Sequence, residues 1–161
     1  MPGLPPRHLG AYFALVEATA LLDHAVQQQL KADGDLSYVQ FQLLMRLFTA
    51  DGRRTMTELA DGVVYSRSGL TYQAGLLEKA GLITRSPDPR DDRATLVTIT
   101  DAGRDRINKV LPGHVEVVRS QLFESLSEPD IDALADIMGR VRDKMRAEPP
   151  RSAAPRKKRD R

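Results

Sequence analysis

Cysteine is absent from the 161 residues, which excludes disulfides, thiolate metal ligands and thiol-based redox sensing together. No secretory leader is expected, since the opening MPGLPPRHLG has neither a basic start nor an apolar run. No apolar stretch reads as long enough to span a bilayer. The expectation is a cytoplasmic protein with no membrane partner. Catalytic signatures are lacking too: there is no GxGxxG, P-loop or nucleophile elbow. His8, His24 and His114 stand singly, without metal-ligand spacing, and each reads as a surface or packed residue. No metal, no cofactor and no catalytic residue is expected, and the chain does not read as an enzyme.

Charge of one sign is scarce as well, with a formal net of +2. That figure hides an asymmetry. The last fifteen residues, AEPPRSAAPRKKRDR, hold six basic and two acidic side chains, leaving a body with 18 basic and 20 acidic. Rich in proline and alanine and without an apolar face, residues 147–161 are expected to form a disordered basic tail. It would serve as a non-specific DNA-binding arm or simply as a solubilising terminus.

What is present suits one domain with a modest core: 41% apolar and 29% charged residues. Leu9, Tyr12, Phe13, Val16 and Ala20 recur at helical spacing and predict a long first helix ending before Asp33-Gly34. Ser37 with Gln40, and Thr55 with Glu58, are capping-box starts. The first opens a helix with Phe41, Leu44, Met45 and Phe48, the second a short one with Leu59, Ala60 and Val63. After a turn at Val64-Tyr65, Ser66 caps SRSGLTYQAGLLEKAG, which stops at Gly81. Two short helices joined by a tight turn make a helix-turn-helix.

LITRS and ATLVTIT then read as short strands with period two. Between them, SPDPRDDR packs three aspartates, two arginines and two prolines into residues 86–93, so the hairpin is expected to have a long, charged tip. An EF-hand is excluded by the missing glycine and terminal glutamate spacing. A helix-turn-helix followed directly by a hairpin is a winged helix. Beyond it, Ile107, Val110, Leu111, Val118 and Leu122 form a helical stripe in which Pro112-Gly113 predicts a kink or break. Ser127 with Asp130 opens a last helix with Ile131, Leu134, Ala135, Met138, Val141 and Met145 on one face.

The terminal stripes need covering, and the winged helix reads as a closed core of its own. A two-fold dimer would bury them and would place two reading helices one turn apart on a duplex. The expected fold is therefore mainly α with a small β-hairpin. A winged helix-turn-helix lobe spans residues 37–100, and a helical dimerisation region spans residues 1–36 and 101–146.

TMTELADGVVYSRSGLTYQAGLLEKAGLITR and DPRDDRATLVTITDAG resemble the corresponding segments of the MarR-type winged-helix transcriptional regulators. The second is similar to that family's wing motif of Asp, any residue, Arg, then a strand, Thr and Gly, here on Asp91, Arg93, Val97, Ile99, Thr100 and Gly103. The resemblance spans roughly residues 8 to 146. It implies a dimer built from the terminal helices, one DNA-binding lobe per subunit and, in many members, a small-molecule pocket between the two regions.

Helical geometry tests the reading helix. With Leu70, Ala74 and Leu77 as the buried side and about 100° per residue, Ser68, Thr71, Tyr72 and Gly75 point outward, as groups suited to base edges and phosphates in a major groove. Arg67, at the helix start, would reach a guanine or a phosphate, and Arg54 and Ser66 complete the DNA-contacting candidates on this side. An ordinary solvated face is the alternative, against which the adjoining wing argues. The helix departs from the family pattern in Tyr72, where a basic residue is common, and in Gly69 and Gly75, each costing about 1 kcal/mol relative to alanine. The resemblance also implies that Arg93 enters a minor groove and that Arg90 touches phosphate or the same groove. Asp91 is expected to hold the Arg93 guanidinium by a charge-assisted pair, with Asp88-Pro89 shaping the turn and Asp92 a solvated charge.

The function expected is that of a dimeric, sequence-specific regulator of transcription, a ligand-responsive repressor, that reads a pseudo-palindromic operator in double-stranded DNA. Recognition helices would occupy the major groove and wings the minor groove. The alternative is a winged-helix protein-protein interaction module without operator binding. Tyr12, Tyr38, Phe41 and Met45 would line a pocket for a small aromatic or phenolic effector, with plain core packing as the competing account of these four.

Overall fold

The computed structural model describes residues 3–62 and 67–147, with the side chains of Asp61, Gly62 and Arg67 outside the description. Val63, the Val64-Tyr65 turn, the Ser66 cap, the Arg67 side chain and the tail from residue 148 onward thus lie outside the described residues. The elements are α1 (Pro6–Gly34), α2 (Tyr38–Phe48), β1 (Arg53–Thr55), α3 (Met56–Gly62), α4 (Arg67–Lys79), β2 (Ile83–Asp88), β3 (Asp91–Ile99), α5 (Asp101–Val118), a π-helical turn (Arg119–Phe123) and α6 (Glu128–Ala147). The strands form one antiparallel sheet in the order β1-β3-β2, so the fold is mainly helical with a small sheet, as expected. By contacts the chain divides after Leu122 into two compact units.

Local chemistry sets most helix starts. At α2, Ser37 Oγ accepts from the Gln40 N–H (3.3 Å) while Gln40 Oε1 accepts from the Ser37 N–H (3.0 Å), the reciprocal box the sequence predicts. At α3, Glu58 Oε2 accepts from Thr55 N (2.7 Å) and Oγ1 (2.9 Å), and Glu58 N donates to Thr55 Oγ1 (3.2 Å). At α6, Ser127 N and Oγ both donate to Asp130 Oδ2 (3.0 and 2.5 Å). The end of α1 departs from expectation: the helix runs through Gly34 and stops at Asp35, which takes the left-handed conformation (φ 51°) that aspartate tolerates better than most residues. Gly34 serves packing, because a Cβ there would overlap the Val110 side chain.

The hairpin is unlike its predicted form. Ser86↔Leu96, Pro87↔Thr95 and Asp88↔Asp91 continue the ladder, with an irregularity at Pro87/Asp88, and only Pro89 and Arg90 turn. The charged stretch is therefore strand rather than loop. Proline is tolerated because β2 is an edge strand at that point and needs no donor on its outer side. β1 was not expected at all. Asp51 (φ 49°) and Gly52 (φ 83°) reverse the chain so that Arg53, Arg54 and Thr55 pair with Thr98, Val97 and Leu96.

A single core runs through the first unit. Val26 and Leu30 of α1, and Ile107 and Val110 of α5, are buried with Leu43, Leu44, Leu47, Leu59, Leu70, Leu77 and Val97. The helix-turn-helix and sheet are thus not a closed core separate from α1 and α5. Neither does Pro112 break α5, which is helical from Asp101 to Val118. Proline deprives the Asn108 carbonyl of its partner, but both residues lie on the exposed side of the helix, where water can replace it. On the packed side Gln29 Nε2 donates to Val110 O (3.0 Å) and to Asp33 Oδ2 (2.8 Å). A Cβ on Gly113 would collide with the Asp33 carboxylate, so glycine lets α1 and α5 approach there.

By length and composition α1 contains a window apolar enough to cross a membrane, which corrects the expectation that no such stretch exists. Its C-terminal part is nevertheless committed to the protein core through Val26 and Leu30. Its N-terminal part leaves Leu9, Tyr12, Phe13, Val16 and Leu21 exposed. In the second unit, α6 has no buried residue, and Ile137, Val141 and Met145 are exposed.

Candidate nucleic-acid interface

The faces of α4 are sorted as helical spacing requires. Leu70, Ala74 and Leu77 are buried, Ser68, Thr71 and Tyr72 are exposed, Tyr72 to 64%, and Gly75 is half-buried. Packing does not demand glycine at position 75, where an added Cβ would meet only Arg85 Nη2 at 3.9 Å. The helix stops at Gly81 (φ 72°), and Leu82 N donates back to Leu77 O (2.9 Å), closing its last turn.

One threonine then joins α4, the sheet and α5. Thr100 Oγ1 donates to Gly81 O (2.7 Å) and accepts from the Gly103 N–H (3.1 Å), capping α5, while Thr100 N donates to Leu82 O (3.1 Å). Gly103 sits so close that a Cβ would collide with the Leu82 carbonyl oxygen and lie 2.7 Å from Ile99 Cγ1. The threonine and glycine that close the wing motif thus have structural reasons: one caps three chain ends together, and the other makes room for a carbonyl.

In the wing, Arg90 and Arg93 are both exposed, the Arg90 side chain to 84%. Asp88 is the buried member of the tip, at 4% exposure. Its Oδ1 accepts from Arg90 N (2.9 Å) and Nε (3.4 Å), and these bonds hold its carboxyl below the usual carboxylate range. Asp88 therefore shapes the turn, as expected, through the backbone of the tip. Asp91 differs from its expected role. Its Oδ1 accepts from the Arg93 backbone N–H (3.0 Å), an Asx-type bond, and no Asp91–Arg93 ion pair occurs among the described residues. The guanidinium is left to solvent while its backbone is oriented. Arg54, with Arg53, is exposed on the edge strand β1, and both arginines sit one strand away from β2 across β3.

Glu78 and Arg85 escaped sequence reasoning. Glu78 Oε1 accepts from the Arg85 N–H (3.0 Å), and Oε2 accepts from Nε (2.9 Å) and Nη2 (2.6 Å). These contacts, chiefly the side-chain bond from Arg85, hold the Glu78 carboxyl below its ordinary value. A separation of seven residues across a glycine turn matches neither helical nor strand spacing, so no periodic signal could have revealed the pair.

The proposed pocket residues are only partly together. Phe41 is buried, Tyr38 and Met45 pack half-buried against the core, and Tyr12 is exposed on α1 beside Phe13, with ring centroids 5.3 Å apart. An open groove of about 850 Å³ lies elsewhere, lined by Lys31, Asp35, Gln40, Tyr72, Gln73 and Arg106 among others. His114 faces Phe41 with ring centroids 4.5 Å apart, and its Nδ1 is buried without a hydrogen-bond partner, as is Gln29 Oε1. Burial pushes the imidazole below its ordinary value of about 6.5. No group of three or more metal-ligating side chains is arranged to hold an ion among the described residues.

The His114 environment makes acid sensitivity predictable. Because its pKa is lower in the folded than in the unfolded state, the unfolded state binds more protons as pH drops below about 6.5. Stability from this residue is therefore complete above that value and lost as pH falls toward the folded pKa. The melting temperature should fall between pH 7.5 and 5.5, above the range where the depressed carboxylates titrate. His114→Gln should flatten that part of the profile; an unchanged slope in thermal melts would assign the effect to another group.

A family model described as MarR family matches residues 34–94. The HTH-type transcriptional repressor YetL of Bacillus subtilis (strain 168) is 27% identical over 132 residues, covering 81% of this chain and 78% of that protein. Among solved structures, Sco3205, a MarR family transcriptional regulator from Streptomyces coelicolor in complex with DNA, is 30% identical, with a TM-score of 0.85, covering 89% of this chain and 91% of that one. AbsC, a MarR family transcriptional regulator from the same organism, is 26% identical, with a TM-score of 0.87, over 92% of this chain and all of that one. These relatives are transcriptional regulators and not enzymes. With 30% identity to Sco3205 over 89% of this chain and 91% of that one, the chain belongs to the MarR family of transcriptional regulators.

Proposed function

We propose that this regulator is a cytoplasmic homodimer that binds a pseudo-palindromic DNA operator, with α4 in the major groove and the β2–β3 wing in the flanking minor groove. One observation carries the reading. The outward face of α4, with Ser68, Thr71 and Tyr72, belongs to the same compact lobe as a narrow strand ladder whose arginines Arg90 and Arg93 are exposed. Short hydroxyls suit base edges and phosphates, and a cation on a thin ribbon suits a narrow groove of negative potential. Gly75, which packing does not require, suits close approach of the duplex. Arg54, Ser66 and Arg67 complete the contact set. The DNA complex of Sco3205, at 30% identity, supports the assignment. Selection of bound duplexes from a random pool, followed by sequencing, tests it: a two-fold consensus is expected, and an unenriched pool would overturn operator reading.

Residues 37–100 would form the reading lobe, and residues 1–36 with 101–146 the dimerisation region. Exposed Leu9, Tyr12, Phe13, Val16 and Leu21 on α1, and Ile137, Val141 and Met145 on α6, support this assignment, since so many large apolar side chains seldom stay uncovered. Glutamate at both Leu134 and Met138 is expected to dissociate or unfold the dimer. Sedimentation that finds the unmodified protein as a folded monomer at micromolar concentration would refute the assembly.

The effector reading places a small aromatic or phenolic compound near Tyr12, Tyr38, Phe41 and Met45. The orphaned His114 Nδ1 beside Phe41 supports it, because a ligand hydroxyl would satisfy that atom. Such a ligand would act as the release signal of a repressor by binding one dimer shape better than the other.

A further inference from the structure

Glu78 and Arg85 tie the last turn of α4 to the root of the wing. The backbone N–H and two guanidinium nitrogens of one residue converge on a single carboxylate, which fixes orientation as well as distance. Other ion pairs among the described residues, such as Lys31–Asp35, Asp88–Arg90 and Asp136–Arg140, join residues no more than four positions apart. The guanidinium also reaches back along α4 toward Gly75. Both side chains are partly shielded, at 37% and 29% exposure.

The position of this tie matters because of what lies beyond it. α4 and β2 are joined only by Ala80, Gly81 and Leu82, with Gly81 in a left-handed turn. Outward of Ile83 and Val97 the ladder carries a single buried residue, Asp88, so little apolar packing holds the outer wing at a fixed angle to α4. From Arg85 the ladder projects about four residues, or roughly 13 Å, to its tip. A swing of roughly 15° over that lever displaces the tip by about 3.4 Å, one base-pair rise.

We propose that Glu78 is a positioning residue that, through Arg85, sets the base-pair spacing between the major-groove bases read by α4 and the minor-groove step read by the wing. This rests on the DNA-reading function proposed above. Total affinity is a poor measure of it, because removing a carboxylate strengthens attraction to DNA whatever its structural role. Spacing preference is the direct one.

Wild type, Glu78→Gln and Arg85→Lys would each be used to select duplexes from the same random pool, with thermal melts in parallel. Glutamine keeps an acceptor for the Arg85 N–H but turns an amide donor toward the guanidinium, and lysine keeps the charge but loses the fork. Wild type should enrich one spacing between the inner consensus and the flanking A·T step, and lose about tenfold or more in affinity when one base pair is inserted between them. Both variants should accept neighbouring spacings, with the insertion penalty reduced to about threefold or less. If wild type enriches one spacing and both variants keep it with the full penalty, the positioning role is wrong while DNA reading stands. If wild type enriches nothing, both fall. Should Glu78→Gln melt below the assay temperature, Arg85→Lys decides the comparison.

Discussion

Alanine at Gly103 is expected to lower the unfolding free energy by about 2 kcal/mol, the reverse of what helix propensity alone would give. Within a helix alanine is favoured over glycine by about 1 kcal/mol. Here the added methyl would enter the space of the Leu82 carbonyl oxygen and press on Ile99 Cγ1, and overpacking of this kind costs about 1 to 3 kcal/mol. The carbonyl cannot retreat freely, because it accepts from the Thr100 N–H (3.1 Å), and Thr100 Oγ1 is itself engaged with Gly81 O and Gly103 N. Moving one of these moves the α4 stop, the end of β3 and the α5 cap together. Operator affinity should therefore decline with stability. Thr100→Val, which keeps shape and removes the hydroxyl, should cost about 1 kcal/mol as a lost cap. Urea unfolding midpoints compare the variants; a Gly103→Ala protein as stable as wild type would mean that the carbonyl contact relaxes without cost.

The second large effect is on DNA, where Arg93→Ala and Thr71→Ala should fail differently. Loss of the Arg93 cation should weaken binding on every operator, reduce the salt slope by about one unit per half-site and relax preference at flanking A·T positions. Thr71→Ala, like Arg67→Ala, should instead change preference at inner positions, by about 1 to 3 kcal/mol where a good base contact is lost. Binding measured across salt concentrations and across a panel of single-base operator variants separates the two. Uniform loss across all sequences from every substitution would leave only phosphate contacts and move base reading elsewhere. Arg93→Ala with unchanged affinity and salt slope would reduce the charged ribbon to a solvated turn.

Where the chain announced its structure, the signal was short-range. Ser37 with Gln40, Thr55 with Glu58 and Ser127 with Asp130 close local hydrogen-bond loops as their three-residue spacing requires. The α4 face follows from 100° steps, so Ser68, Thr71 and Tyr72 were found exposed where Leu70, Ala74 and Leu77 are buried. The wing motif marked Thr100 and Gly103 without saying why they were needed; the shared carbonyl of Leu82 gives the reason. SPDPRDDR misled because proline and aspartate ordinarily mark loops. Pairing with β3 overrode that preference along an edge strand.

Capping chemistry, helical periodicity and strand alternation determined by themselves a mainly helical chain with a helix-turn-helix, a hairpin and a defined outward face on α4, and the wing motif supplied the resemblance to a family of regulators. Each of these is written within a few neighbouring positions, where backbone geometry alone relates sequence to space. Only the tertiary structure decided that β1 exists, that the charged stretch is a ladder with a two-residue tip, that Asp88 is buried while Arg90 and Arg93 are not, that α5 continues through Pro112, and that Glu78 meets Arg85. Those outcomes depend on which distant strand or helix supplies a hydrogen-bond partner or excludes water, and such partners are chosen by packing across the whole lobe rather than by the residues next in the chain.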